Sequence, residues 1–188
     1  MTVYIGEDIG YKMNDDNGDL YIPREWIKAI IKISESNGSE YVGRFRRNEN
    51  RYNKNKLPEY LPILEMYRGR STDNEPIWKD INDSVSFDNT TLDFHTHPSG
   101  KGYQDTEKPG DQDCDSFSGL TRSLGKTYHA VISKGTMTLL DLSDASRKDL
   151  GECKEKSNVC DCLKQIGVKE YTLDGTQDVV LKGTRTKK

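Results

Sequence analysis

The run Asp93-Phe94-His95-Thr96-His97-Pro98-Ser99-Gly100 decides how this chain is read. It holds two of the only three histidines, one residue apart, at the end of a segment that alternates apolar and polar residues. In a β-strand residues i and i+2 project from one face, so His95 and His97 aim both imidazoles at the same point. One further oxygen or nitrogen donor nearby gives three protein ligands for a divalent metal and leaves a fourth position open for water. A chain this poor in histidine has little reason to place two of them there for packing alone.

Around that strand, read as residues 91–97, the pattern continues in both directions. Residues 98–111 contain Gly, Lys, Asp and Pro with almost nothing apolar, which predicts an exposed loop. A helix is expected to begin near Asp111 or Asp113 and to end at Leu124-Gly125, followed by a hairpin of 128–133 and 136–142 turning at Lys134-Gly135. Upstream, Ile22-Pro23-Arg24-Glu25-Trp26 opens a helix, because proline suits the first turn and Glu25 its positive end. Trp26, Ala29, Ile30 and Ile33 are expected on its buried face, and Asn37-Gly38 stops it. Residues 40–47 read as a strand with Tyr41, Gly43 and Phe45 on one side, 61–67 as another, and 85–87 as a short third. Residues 1–22 suggest one or two short strands broken near Met13–Gly18, and 48–58 a loop. Residues 144–166 look helical with a break near Gly151, and 179–181 form a weak last strand. His129, beside Tyr128, is expected to be structural.

The composition bounds what such a chain does. Of its 188 residues 32% are hydrophobic and 31% charged, the net charge is -3, and the mean hydropathy is -0.86. An acidic balance argues against a general nucleic-acid binder, which needs a basic surface. Arg44, Arg46, Arg47 and Arg51 are read as one polar strand face and a solvated loop. Neither a signal peptide nor a run long enough to span a bilayer is visible, so the expectation is a soluble, cytoplasmic protein with no membrane partner. Of the four cysteines, Cys153, Cys160 and Cys162 cluster with a C-x-C pair that departs from the C-x2-C of common zinc sites. Free thiols, a disulfide and a structural metal compete there, and free thiols are favoured.

In order, the chain offers a helix, a strand opening at Glu40, the His-x-His strand, a loop and an acidic helix start. This resembles the JAB/MPN domain family, and within it the metal-bearing JAMM members, whose signature is a glutamate on an early strand, then H-x-H-P, then P-S-x-x-D. Glu40-Tyr41-Val42-Gly43, His95-Thr96-His97-Pro98-Ser99-Gly100 and Pro109-Gly110-Asp111-Gln112-Asp113 carry the likeness, over roughly residues 20–142. The resemblance implies an α/β fold of the cytidine-deaminase-like kind, with a mixed, mostly antiparallel sheet flanked by helices. It makes residues 1–142 the metalloprotease-like domain and 143–188 a helical and strand extension ending in a disordered basic tail.

It also implies one Zn2+ per chain on His95, His97 and Asp113, with Glu40 outside the metal shell as the catalytic base. Asp111 and Asp115 are rival ligands, and Glu35 and Glu49 rival bases. The activity implied is hydrolysis of an amide at the C-terminus of a ubiquitin-like protein or a peptide. Two residue types suffice for that chemistry: metal ligands that make water acidic, and a carboxylate that relays its proton to the leaving amine. The alternatives are a metal-binding but catalytically weak interaction domain, or a RadC-like metallohydrolase of another substrate, suggested by the shared H-P-S-G. Two departures stand out. Fifteen residues lie between His97 and Asp113, where the family has about ten, a spacing set by the geometry of the metal site. Gly110 also stands where active members usually carry a serine that helps hold the tetrahedral intermediate.

Overall fold

The computed structural model describes residues 2–5, 20–46, 62–68, 92–99, 109–124, 128–133, 135–174 and 177–181. Its organising element is a six-stranded sheet in the order β4-β3-β5-β6-β7-β8. The strands are β3 (Tyr41–Arg46), β4 (Ile63–Arg68), β5 (Leu92–Thr96), β6 (Tyr128–Ser133), β7 (Thr136–Asp141) and β8 (Lys169–Asp174). Within this sheet, among the described residues, β5 and β6 pair in parallel and the other pairs are antiparallel. A parallel pair needs a crossover connection, and the helix α2 (Asp111–Leu124) supplies it. A second, three-stranded sheet places β9 (Asp178–Leu181) between β1 (Thr2–Ile5) and β2 (Leu20–Ile22). The result is a mixed α/β fold whose sheet is mostly antiparallel and flanked by helices.

One face of the large sheet is mainly apolar. Phe45, Leu92, Phe94, Ala130, Ile132 and Leu139 pack there with the small sheet and with α1 (Arg24–Asn37). Gly43 lies on this face because nothing larger fits: a Cβ would stand 2.5 Å from the Glu65 carbonyl oxygen and 2.6 Å from Phe94 Cζ. The expected side of β3, with Gly43 and Phe45 inward, is therefore the observed one. Helix α1 starts after Pro23 and stops at Gly38, whose φ of 54° is the left-handed turn that glycine tolerates best. Its buried stripe is rotated from the expected one. Ile27, Ile30 and Ser34 are buried, whereas Ala29 is exposed and Ile33 is 39% exposed. Spacings of three and four from Ile27 set the contact line, and Trp26 packs at its margin.

The opposite face carries α2, α3 (Arg147–Lys154) and α4 (Val159–Gln165) over Val131, Leu140 and Leu142. Gly151 does not interrupt a helix; it lies within α3, and the break falls at 155–158. Strand β8 was not anticipated, because its alternation is mostly polar and only Leu173 is buried. All four cysteines are oxidised, contrary to the expectation of free thiols: Cys114 bonds Cys160, and Cys153 bonds Cys162. The helical cluster brings them together, a proximity invisible in their spacing. Arg44 also departs from expectation. It is fully buried, paired with Glu65 at 3.7 Å and directly across β3–β5 from Asp93. Arg47, Arg51, and the expected loop at 48–58 and strand at 85–87, lie outside the described residues. No helix among the described residues is long and apolar enough to cross a membrane.

Candidate metal centre

Strand β5, interior to the sheet, carries His95 and is followed directly by His97, and hydrogen bonds on each side hold this end of the strand. Thr96, between them, accepts the Tyr41 N–H at 2.9 Å and lies 2.7 Å from the Ser34 hydroxyl. Because Ser34 donates its proton to the Ser39 carbonyl, the Thr96 hydroxyl donates to Ser34. The His97 N–H donates to the Ile132 carbonyl at 3.0 Å, and Ser133 donates to the His97 carbonyl at 2.9 Å. Beyond His97, the Ser99 N–H and hydroxyl both donate to the Glu35 carboxylate at the end of α1. Ser99 therefore anchors the turn to a helix as well as making it.

Asp113 comes from the first turn of α2. Its Oδ2 accepts the Gly110 N–H at 2.8 Å, the arrangement of a carboxylate that reaches back to close the start of its own helix. Its Oδ1 lies 3.1 Å from His95 Nε2, and Oδ2 lies 3.8 Å from His97 Nε2. The two imidazole Nε2 atoms are 3.0 Å apart. The carboxylate that caps the helix is thus also the one that faces the two histidines.

The three groups offer donor atoms that all lie within 4.8 Å of one another, an arrangement that could hold a metal ion. Donors on a tetrahedron with metal bonds of about 2.0–2.1 Å sit roughly 3.3–3.4 Å apart, and the observed separations bracket that value. Two imidazoles and a carboxylate are also the donor chemistry of open zinc sites. The same groups also interact electrostatically. Burial pushes the His95 pKa down, but the hydrogen bond and charge of Asp113, with the charge of Glu40, outweigh it and the net shift is upward. Burial pushes Asp113 up, but His95, the Gly110 N–H and His97 outweigh it and hold the carboxyl below its ordinary value.

Glu40 immediately precedes β3 and is partly buried. Val42 pairs with His95, so stepping two residues outward along β3 carries Glu40 toward His97. Of the rivals, Asp111 faces away and accepts the Cys160 N–H at 3.0 Å, and Asp115 stands outside the donor group. Glu35 is engaged by Ser99, and Glu49 lies outside the described residues. His129 is structural, as expected: fully buried, stacked on Phe117 at 4.6 Å and 3.2 Å from the Thr121 hydroxyl. Phe117 also meets His95 at 5.7 Å, so α2 supplies the wall of the site as well as its carboxylate.

Two supports escaped the sequence reading. One is the Glu35–Ser99 latch, for which no local signal exists across 64 residues. The other is the disulfide from Cys114, whose signal was available: an even number of cysteines, one of them adjacent to the ligand aspartate. No protein-family model, curated protein or solved structure matches the chain.

Proposed function

We propose that the chain is a metal-dependent hydrolase, and more narrowly a zinc amidase acting at the C-terminus of a ubiquitin-like protein or a peptide. The observation that carries this reading is the convergence of His95, His97 and Asp113 with Glu40 charged beside them. The substrate class rests on the resemblance of His95–Gly100 and its flanking motifs to the JAMM family. His95 and His97 donate as neutral imidazoles and Asp113 as a carboxylate. A zinc ion so held would supply Lewis acidity and make a bound water acidic enough to ionise near neutral pH. Glu40 takes a proton from the attacking water and returns it to the leaving amine nitrogen as the amide bond breaks. Phe117 and the buried β5 backbone keep bulk water from the inner side of the site, which strengthens each charge interaction there.

A second reading, a metal-binding interaction domain with weak chemistry, is favoured by one specific observation. Gly110 provides no hydroxyl, and its N–H is already given to Asp113. The Ser99 hydroxyl, another candidate donor to a developing oxyanion, is given to Glu35. Elemental analysis separates metal binding from its absence: wild type should carry about one zinc per chain and a His95→Ala, His97→Ala variant none. Equal zinc in the two would end the site reading. Cleavage of a ubiquitin-like fusion by the zinc-loaded protein then separates protease from scaffold, and a zinc-loaded protein that cleaves neither fusion nor peptide is the scaffold.

A further inference from the structure

The ligand aspartate is fastened from outside its own helix. Cys114, the residue after Asp113, is 2% exposed and bonded to Cys160 of α4, across 46 residues of chain. Cys160 makes three more contacts with the same short segment. Its N–H donates to Asp111 Oδ1 at 3.0 Å, and its sulfur lies 3.5 Å and 3.2 Å from the carbonyl oxygens of Pro109 and Gly110. Gly110 in turn donates its N–H to Asp113. One half-cystine thus grips residues 109–114, the segment that aims the carboxylate at His95.

The second disulfide is built differently. Cys153 and Cys162 are 0% and 5% exposed, close a short span of nine residues, and join α3 to α4 with no half-cystine on the helix that carries Asp113. Cys160 is the half-cystine of the four that is only partly buried. Thiol–disulfide exchange needs access to a sulfur, so the bond next to the ligand is the one that a reductant reaches first.

We propose that Cys114–Cys160 is a redox clasp for the metal site: closed, it positions Asp113; opened by a dithiol, it lowers the cation affinity of His95, His97 and Asp113. The inference rests on the reading of those three residues as metal ligands. In the opening step a thiolate of a dithiol reductant attacks Cys160 Sγ, and the S–S bond breaks with the electron pair leaving on Cys114, which takes up a proton. The second thiol of the reductant displaces Cys160 as a thiol, and the reductant departs as its disulfide. Cys114 and Cys160 are positioning residues, since neither sulfur belongs to the donor group. In a reducing compartment the site would be weak, and in an oxidising one it would be armed.

The test uses the full chain and Zn2+, with affinity read by competition against a chromophoric chelator and site geometry by the visible spectrum of Co2+. Removing a group that orients a metal ligand typically costs 10–100-fold in affinity, and that is the loss expected for Cys114→Ala, Cys160→Ala with the far-ultraviolet circular dichroism unchanged. The Cys153→Ala, Cys162→Ala variant should bind like wild type. A folded Cys114→Ala, Cys160→Ala variant with wild-type affinity overturns the clasp. If that variant does not fold, wild type is titrated with dithiol in steps, alkylated, and freed of reductant. Loss of Zn2+ affinity should then follow alkylation of Cys114 and Cys160 and be restored by reoxidation of an unalkylated sample. Loss that follows Cys153 and Cys162, or no loss after Cys114 and Cys160 are fully alkylated, overturns the proposal. Oxidised wild type that binds neither ion sinks the site reading, and the clasp with it.

Discussion

The two faces of the large sheet solve different problems. The face against α1 and the small sheet is mainly aliphatic and aromatic, with Phe45, Phe94 and Leu92 fully buried and one buried hydroxyl pair, Ser34 with Thr96. The face against α2, α3 and α4 buries Arg44, Asp93, His95 and His129, and its apolar cluster includes three half-cystines. Burying charged and imidazole groups is costly, and each needs a partner. The candidate metal centre therefore sits on the face that gains less from apolar burial, and covalent cross-links hold that face together. On the proposed function, mutations on the two faces should separate stability from activity.

The sharpest break is expected at Glu40. Glu40→Gln keeps size and hydrogen bonding but cannot accept a proton. It should lower amide hydrolysis by roughly 10²–10⁴-fold while zinc content and unfolding midpoint stay at wild type. His97→Ala should lose zinc and activity together, so both quantities need measuring on the same samples. Zinc loss in Glu40→Gln would make Glu40 a ligand, and full activity would place the base elsewhere.

Next in size is a change on the opposite face. Phe94 is fully buried and packs on Phe45 at 5.2 Å between ring centroids. Phe94→Ala should cost about 3–5 kcal/mol of stability by denaturant titration. The protein that remains folded should hold zinc as tightly as wild type, although residue 94 adjoins His95. Weakened zinc binding in the folded fraction would show that the faces are coupled.

The smallest effect is a reversal of sign with pH. In protein stripped of metal by a chelator, His95 has a raised pKa, so its contribution to stability is complete below about pH 6.5, its ordinary value, and fades as pH rises through the folded value. Asp113 has a lowered pKa, so its contribution is present above its ordinary 3.8 and fades as pH falls through the folded value. The pair therefore favours mildly acid conditions between those limits. Zinc demands neutral imidazoles, so the stability that zinc adds should grow as pH rises through the His95 value. Thermal melts across pH, with and without zinc, should slope in opposite directions. Parallel slopes would mean that zinc does not compete with the His95 proton.

Strand and helix positions near the site were readable because short periods carry them. His-x-His alternation places both rings on one face of β5, and Pro23 and Gly38 bracket α1 within a residue. The acidic start of α2 at Asp111 was likewise legible, since a carboxylate suits the first turn whether or not it binds metal. What escaped depends on distance along the chain. Glu35 reaching Ser99, Cys114 bonding Cys160, and β8 joining β7 are pairings that no local pattern encodes. The rotated face of α1 failed for another reason: Ala29 and Ile33 fit an apolar stripe, but Ser34 is the residue turned inward, where its hydroxyl serves Thr96.

The anchoring of the two ends of the His97–Asp113 connection bears on how such a site can change over evolutionary time. His97 is tied to β6 through Ile132 and Ser133, and Asp113 is tied to α4 through its neighbour Cys114, while within the connection Ser99 is fastened to Glu35 and Gly110 to Asp113, so both ends are fixed without residues 100–108. Loop closure grows only logarithmically with length, and lengthening a ten-residue span to fifteen costs roughly 0.4 kcal/mol. A connection bounded this way is free to gain, lose or exchange residues without displacing the donors. The unusual spacing between the second histidine and the aspartate is then an inexpensive variation, located where a change of length alters what the centre meets and leaves the centre itself in place.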